Sequence, residues 1–149
     1  MLVEELQSVL TTDPGMVALL GTPQARPDST NGVFPVQAPD QPTMPYLVLM
    51  QVSGAPLQTS MAGTGALTRE RWRFSCHGTT YKRAKKFAKD VRDFLISLLG
   101  MMPGGTAFIQ GAWIKLEADD QESLGKGTLY KVHLDVEFEY LDLDNEADV

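Results

Sequence analysis

Pro45-Tyr-Leu-Val-Leu-Met-Gln-Val52, then Arg69-Glu-Arg-Trp-Arg-Phe-Ser-Cys-His77, then the run from Thr80 to Leu99 decide the fold of this chain. Tyr46 to Ser53 is almost continuously apolar and of strand length, which suits a central strand covered on at least one face. Leu67 to His77 alternates: Trp72, Phe74 and Cys76 fall on one side, Arg71, Arg73 and Ser75 on the other. Between them, Gly54 to Ala66 holds Gly54, Gly63 and Gly65 and few anchoring side chains, so the sequence predicts a long mobile loop. From Thr80 onward Ala84, Phe87, Ala88, Val91, Phe94, Leu95 and Leu98 recur at helical spacing. Thr79 or Thr80 is placed to cap this helix, and Gly100 to end it. Lys82, Arg83, Lys85, Lys86, Lys89 and Arg92 take the remaining face, so the helix should pack on a sheet with its basic side outward.

Upstream, Leu2, Leu6, Val9 and Leu10 define a short amphipathic helix. Thr12-Asp13-Pro14 then offers a cap followed by proline in a first turn, so one helix broken near Asp13 or two short ones are expected before Gly21. Thr22 to Met44 is rich in Pro, Gly, Asp, Ser and Thr and reads as an extended connection. Within it Val33-Phe34-Pro35-Val36 could form a short edge strand, where a proline need not donate to a ladder. Downstream, Ala107 to Glu117 and Leu129 to Leu141 read as strands separated by a solvated loop over Ala118 to Thr128. The last strand sets Tyr130, Val132, Leu134, Val136, Phe138 and Tyr140 against Lys131, His133, Asp135, Glu137 and Glu139. Sequential strands without helical crossovers favour a largely antiparallel or mixed sheet with helices on one face. The expected architecture is a single α+β domain over residues 1–141, followed by a frayed acidic tail, 142–149.

At 149 residues the chain has the length of one domain able to build a core without disulfides or metals. Its acidic N-terminus lacks the pattern of a secretory signal, and no apolar run approaches the roughly 18–20 residues of a membrane span. A soluble protein acting inside the producing cell, away from membranes, is the expectation. One cysteine excludes an internal disulfide and a multi-cysteine metal site. The formal net charge of −6 is unevenly spread. Lys82 to Asp93 holds six bases and two acids, and the rest has seven bases and seventeen acids, a balance of −10. Such asymmetry serves self-association or a charged partner.

Catalytic patterns are poorly represented. Cys76 and His77 are neighbours on a strand, so their side chains point to opposite faces and cannot act as a nucleophile–base pair. Gly125-Lys-Gly-Thr128 lacks the upstream glycine of a phosphate loop and leads into a strand. His133 with Asp135, Glu137 and Glu139 could bind a divalent ion if His77 lay nearby. The structural alternative, preferred here, is a polar sheet face on which Arg71 and Arg73 pair with those acids across strands. No catalytic residue, metal site or cofactor is assigned. The basic helix face, 82–92, admits three readings: a solvated surface, a contact with an acidic neighbouring subunit, or a small nucleic-acid-binding surface.

Asp13-Pro14-Gly-Met-Val-Ala-Leu-Leu-Gly21, the Pro-rich lead into Pro45-Tyr46, the strand to Ser53, the glycine-bearing segment, the Arg-alternating strand and the Thr-Tyr-Lys-Arg-Ala helix start follow one another in a characteristic order. In that order the chain resembles the tail terminator (tail completion, head–tail joining) proteins of long-tailed bacteriophages, from Leu2 to about Leu141. The resemblance implies a small non-enzymatic α+β protein of the virion, made in the bacterial cytoplasm. It further implies a homo-oligomeric ring, typically a hexamer, on the head-proximal end of the tail tube. Such a ring stops tube growth and docks to the filled head, so its partners are the tail tube protein and a head-completion or neck protein. The candidate contact residues are Lys82, Lys85, Lys86, Lys89 and Arg92, with Arg71 and Arg73, the acids Asp135, Glu137 and Glu139, and the loop glycines Gly54, Gly63 and Gly65. In a heterologous ring the basic helix could meet the Asp135–Glu139 face or the Asp119–Glu122 segment of the next subunit. The Thr22–Met44 segment and the acidic tail depart from the family pattern. Another neck or minor tail protein of similar fold is the nearest alternative, and a nucleic-acid-binding domain the alternative from another class.

Overall fold

The computed structural model describes residues 2–38, 43–59, 66–101, 107–124 and 127–142. Two short helices, α1 (Leu2–Thr12) and α2 (Pro14–Leu20), open the chain. The break comes at Asp13, whose extended backbone caps α2 while its carboxylate accepts the Met16 N–H at 3.2 Å and Pro14 fills the first turn. Strands β1 (Val33–Pro35), β2 (Tyr46–Thr59) and β3 (Ala66–Gly78) follow, then helix α3 (Tyr81–Ile96) and strands β4 (Gly100–Met101), β5 (Ala107–Leu124) and β6 (Gly127–Asp142). Thr80 is the cap of α3, its hydroxyl accepting the Arg83 N–H at 3.2 Å. The helix ends at Ser97 rather than at Gly100, which instead opens β4 with a positive φ of 91°.

The strands form one mixed sheet in the order β1-β2-β3-β6-β5-β4, with β1 parallel to β2 and every other pair antiparallel. The fold is therefore α+β, as the residue pattern indicates. One sheet face carries Leu47, Leu49, Trp72, Phe74, Cys76, Val132, Leu134, Val136 and Phe138, all buried in one core with Leu6 and Leu10 of α1 and Ala84, Phe87, Ala88, Val91 and Leu95 of α3. Phe74 and Phe138 meet edge to face at its centre, ring centroids 6.3 Å apart. Among the described residues no helix packs on the opposite face.

Parts of two expected loops are strand instead. Gly54 to Thr59 continues β2, paired with β3 as far as Thr59 opposite Ala66, so Gly54 is a strand residue and Gly63 and Gly65 lie outside the described residues. Ala118 to Leu124 continues β5, held by β6 through Leu124 opposite Gly127. The polarity of Asp119, Asp120 and Glu122 suggested solvent, but an antiparallel partner satisfies the backbone and supplies cations for the side chains. The acidic tail beyond Asp142 lies outside the described residues.

The Thr22–Met44 connection is organised by a buried arginine. Arg26 donates from Nη1 to the carbonyls of Leu20 at 2.7 Å and Pro45 at 2.9 Å, and from Nη2 to the carbonyl of Thr43. Its Nε lies 3.3 Å from Asp28, whose carboxylate also accepts the N–H groups of Thr30 and Thr43. Desolvation pushes the Asp28 carboxyl up, but the Thr43 and Thr30 amides and Arg26 outweigh it and hold it well below the usual carboxylate range. Gly32 adopts φ 79°, and a Cβ there would sit 2.8 Å from the Arg26 guanidinium, so both backbone and space call for glycine. This clamp ties the end of α2 to the start of β2.

Candidate functional site

The uncovered sheet face is built from the outward residues of β3 and β6. Register sets Arg69 opposite Glu139, Arg71 opposite Glu137, Arg73 opposite Asp135 and Ser75 opposite His133. At its centre Asp135 has no exposed side-chain surface even though no helix among the described residues covers it. Arg71 donates to Oδ2 at 2.8 Å from Nη2 and 3.2 Å from Nε, while Arg73 donates to Oδ1 at 2.8 Å and to Oδ2 at 3.1 Å. Burial raises the Asp135 carboxyl, but Arg73 and then Arg71 overcome it and keep it below the ordinary range. Glu137 binds Arg69 at 2.9 Å and Lys115 at 3.2 Å, and Glu139 binds Arg69 at 3.3 Å.

Apolar side chains surround this network. Met50 and Val52 of β2 and Phe108, Trp113 and Leu116 of β5 are exposed, Trp113 by 46%. Register sets Met50 opposite Arg73, Trp113 opposite Glu137 and Leu116 opposite Asp135. An irregularity between Ile114 and Leu116 lets Trp113 and Leu116, three residues apart, face the same way. The Trp113 indole lies over Gly111, where a Cβ would come within 2.4 Å of the ring. A paired charge cluster flanked by large exposed apolar groups has the composition of a protein contact surface. Trp113, Leu116, Phe108 and Met50 were not singled out by the residue pattern. Their signal was there as outward positions with apolar side chains, but β5 must be given its irregularity before it can be read.

The basic helix is largely engaged within its own chain. Lys85 binds Asp119 at 3.0 Å, Arg92 binds Glu117 at 3.4 Å, Lys86 binds Asp90 at 3.6 Å and Lys89 binds Asp93 at 3.2 Å. Tyr81 also donates to Asp119 at 2.7 Å. Lys85 thus meets the Asp119–Glu122 segment of its own chain. Among the described residues Lys82 and Arg83 are the bases of α3 for which no carboxylate partner is found.

The residues weighed for chemistry are separated. Burial drives the Cys76 thiol far above its ordinary pKa, which leaves it a poor nucleophile. His77 turns to the other face and stacks on Tyr46, ring centroids 4.1 Å apart. His133 is held by the Ser75 hydroxyl at 2.7 Å and by Asp120 at 3.4 Å, while Asp135 is held by the two arginines. Among the described residues no three His, Cys, Asp or Glu side chains converge as a metal ion requires, and no helix is long and apolar enough to cross a membrane.

No known protein family matches this chain, and no curated protein matches it. Solved structures share its fold. A chain of the virion of a native gene transfer agent particle is 18% identical, with a TM-score of 0.56 over 93% of this chain and 90% of that one. A second solved protein is 13% identical, with a TM-score of 0.51 over 93% of this chain and 94% of that one.

Proposed function

We propose that the chain is a structural virion protein of the tail terminator type, which closes into a ring on the head-proximal end of the tail tube. The observation that carries this reading is the uncovered sheet face. Its charges are paired within the chain, and Met50, Phe108, Trp113 and Leu116 stand exposed beside them. Burying such a face against another protein removes apolar area from water without stranding a charge. The fold shared almost end to end with a chain of a gene transfer agent virion supports the same reading.

In this account the work is geometric. The subunit binds copies of itself, the tube end and a head-side protein, and performs no catalysis. Ring closure blocks the next layer of tube subunits and presents a docking surface to the filled head. The basic helix contributes less than its six bases suggest, because Lys85, Lys86, Lys89 and Arg92 are already paired. That also weakens the nucleic-acid reading, in which free cations must meet phosphates.

The test is to add the purified chain to tail tubes and image them by negative-stain electron microscopy. A disc of extra density at one tube end, with elongation stopped there, is the expected result. Tubes that keep growing with bare ends would refute the role.

A further inference from the structure

The charge pairing leaves an imbalance at one place. A groove of about 220 Å3 lies between α2, the Met44-Pro45 lead into β2 and the first half of α3. Leu19, Met44, Pro45 and Phe87 give it mostly apolar walls, and Arg83 and Lys86 stand at its rim. Asp90 also borders it but is bound by Lys86 at 3.6 Å. Among the described residues the Arg83 guanidinium donates to the Thr79 hydroxyl at 3.3 Å and has no carboxylate partner, and Lys82 lies beside it in the first turn of α3. The groove therefore suits an extended segment with small apolar residues on one side and acids on the other.

One segment of this chain has that pattern. In residues 143–149 the apolar Leu143, Ala147 and Val149, with Asn145 among them, alternate with Asp144, Glu146 and Asp148. An extended backbone would turn the first set to the groove floor and the acids to the rim. We propose that the groove takes residues 143–149 of a second copy of the chain.

Reach rules out the chain's own groove. Register places Leu141 opposite Leu67 and Tyr130 opposite Gly78, which borders the groove. The eleven residue steps from Leu67 to Gly78 span about 36 Å at ~3.3 Å per residue. Seven residues stretch at most about 25 Å. β6 ends at Asp142 at one end of the sheet and the groove lies at the other, so the contact is head to tail between copies. The proposal deepens the ring reading, since repeated head-to-tail contacts close into a ring when the rotation per subunit permits.

The test uses a fluorescein-labelled peptide of residues 141–149, titrated with the full chain and followed by anisotropy. Saturable binding is expected, weakened about tenfold or more when Arg83→Glu and Lys86→Glu are combined, and weakened by rising salt. Changing Leu143 and Val149 of the peptide to Ser should weaken it as well. Thermal melting of the double variant confirms that it folds. No saturable binding, or equal affinity for the double variant, overturns the proposal. Tube-end imaging separates the two readings. Discs with no peptide binding reject the tail contact alone, whereas groove-dependent binding without discs supports the contact and rejects the terminator role.

Discussion

Replacing Asp135 by Asn removes the charge at the centre of the open face while keeping its volume. The carboxylate accepts four N–H groups at 2.8–3.2 Å from Arg71 and Arg73, and its side chain is fully buried. An amide can accept at one oxygen only and turns its own NH2 toward a guanidinium. Breaking a fully buried ion pair costs about 3–5 kcal/mol. Here the arginine side chains are 36% and 34% exposed, so they rehydrate in part when the partner is lost. The discounted loss is about 2–3 kcal/mol, which lowers the melting temperature by roughly 4–12 °C for a chain of this size. Urea unfolding at pH 7 with and without the substitution reads the loss directly. Replacing all three residues by Leu and Met of similar volume should return most of the stability, because no charge is then stranded. A loss below about 0.5 kcal/mol for Asp135→Asn would refute the claim that this network holds the face together.

Three further outcomes are expected. His77 is held near pKa 4 chiefly by burial, with Lys131 and His133 adding repulsion. Its neutral form is favoured by folding, so the stability it contributes is complete above pH 6.5 and is lost as the pH falls toward 4. The loss is about 3 kcal/mol, read by denaturant titrations across that range, and it should disappear in His77→Phe. Arg26→Ala strands the carbonyls of Leu20, Thr43 and Pro45 and leaves Asp28 without its cation, so it should cost about 3 kcal/mol or more in urea unfolding. Trp113→Ala should change stability by under about 1 kcal/mol, because the indole is half exposed, yet strongly reduce attachment to tube ends in a pelleting assay.

Much of the fold could be read from residue patterns, because each strongly periodic segment has one way to bury its apolar face. Trp72, Phe74 and Cys76 on β3, the Val132-to-Phe138 series on β6 and the Ala84-to-Leu95 stripe on α3 all lie in the core. Asp13 and Thr80 act as the caps their positions suggest. The polar end of β5 was not legible, because Asp119 and Asp120 gain their reason to be strand from Tyr81, Lys85 and Lys131, residues of other elements. Arg26 gave no signal either, since a lone arginine among prolines looks solvated until three distant carbonyls converge on it. The charges behaved similarly: six bases on one helix suggest a partner, but whether they are free depends on which acids β5 brings alongside. Trp113 and Leu116 share one side of the sheet only through the irregularity between Ile114 and Leu116, which the residue pattern does not show.

The proposed role in ending tail growth and joining tail to head is read from images of the particles made when the chain is absent. Filled heads without tails, beside tubes of abnormal length, are the predicted result. Tails of normal length attached to heads would contradict it.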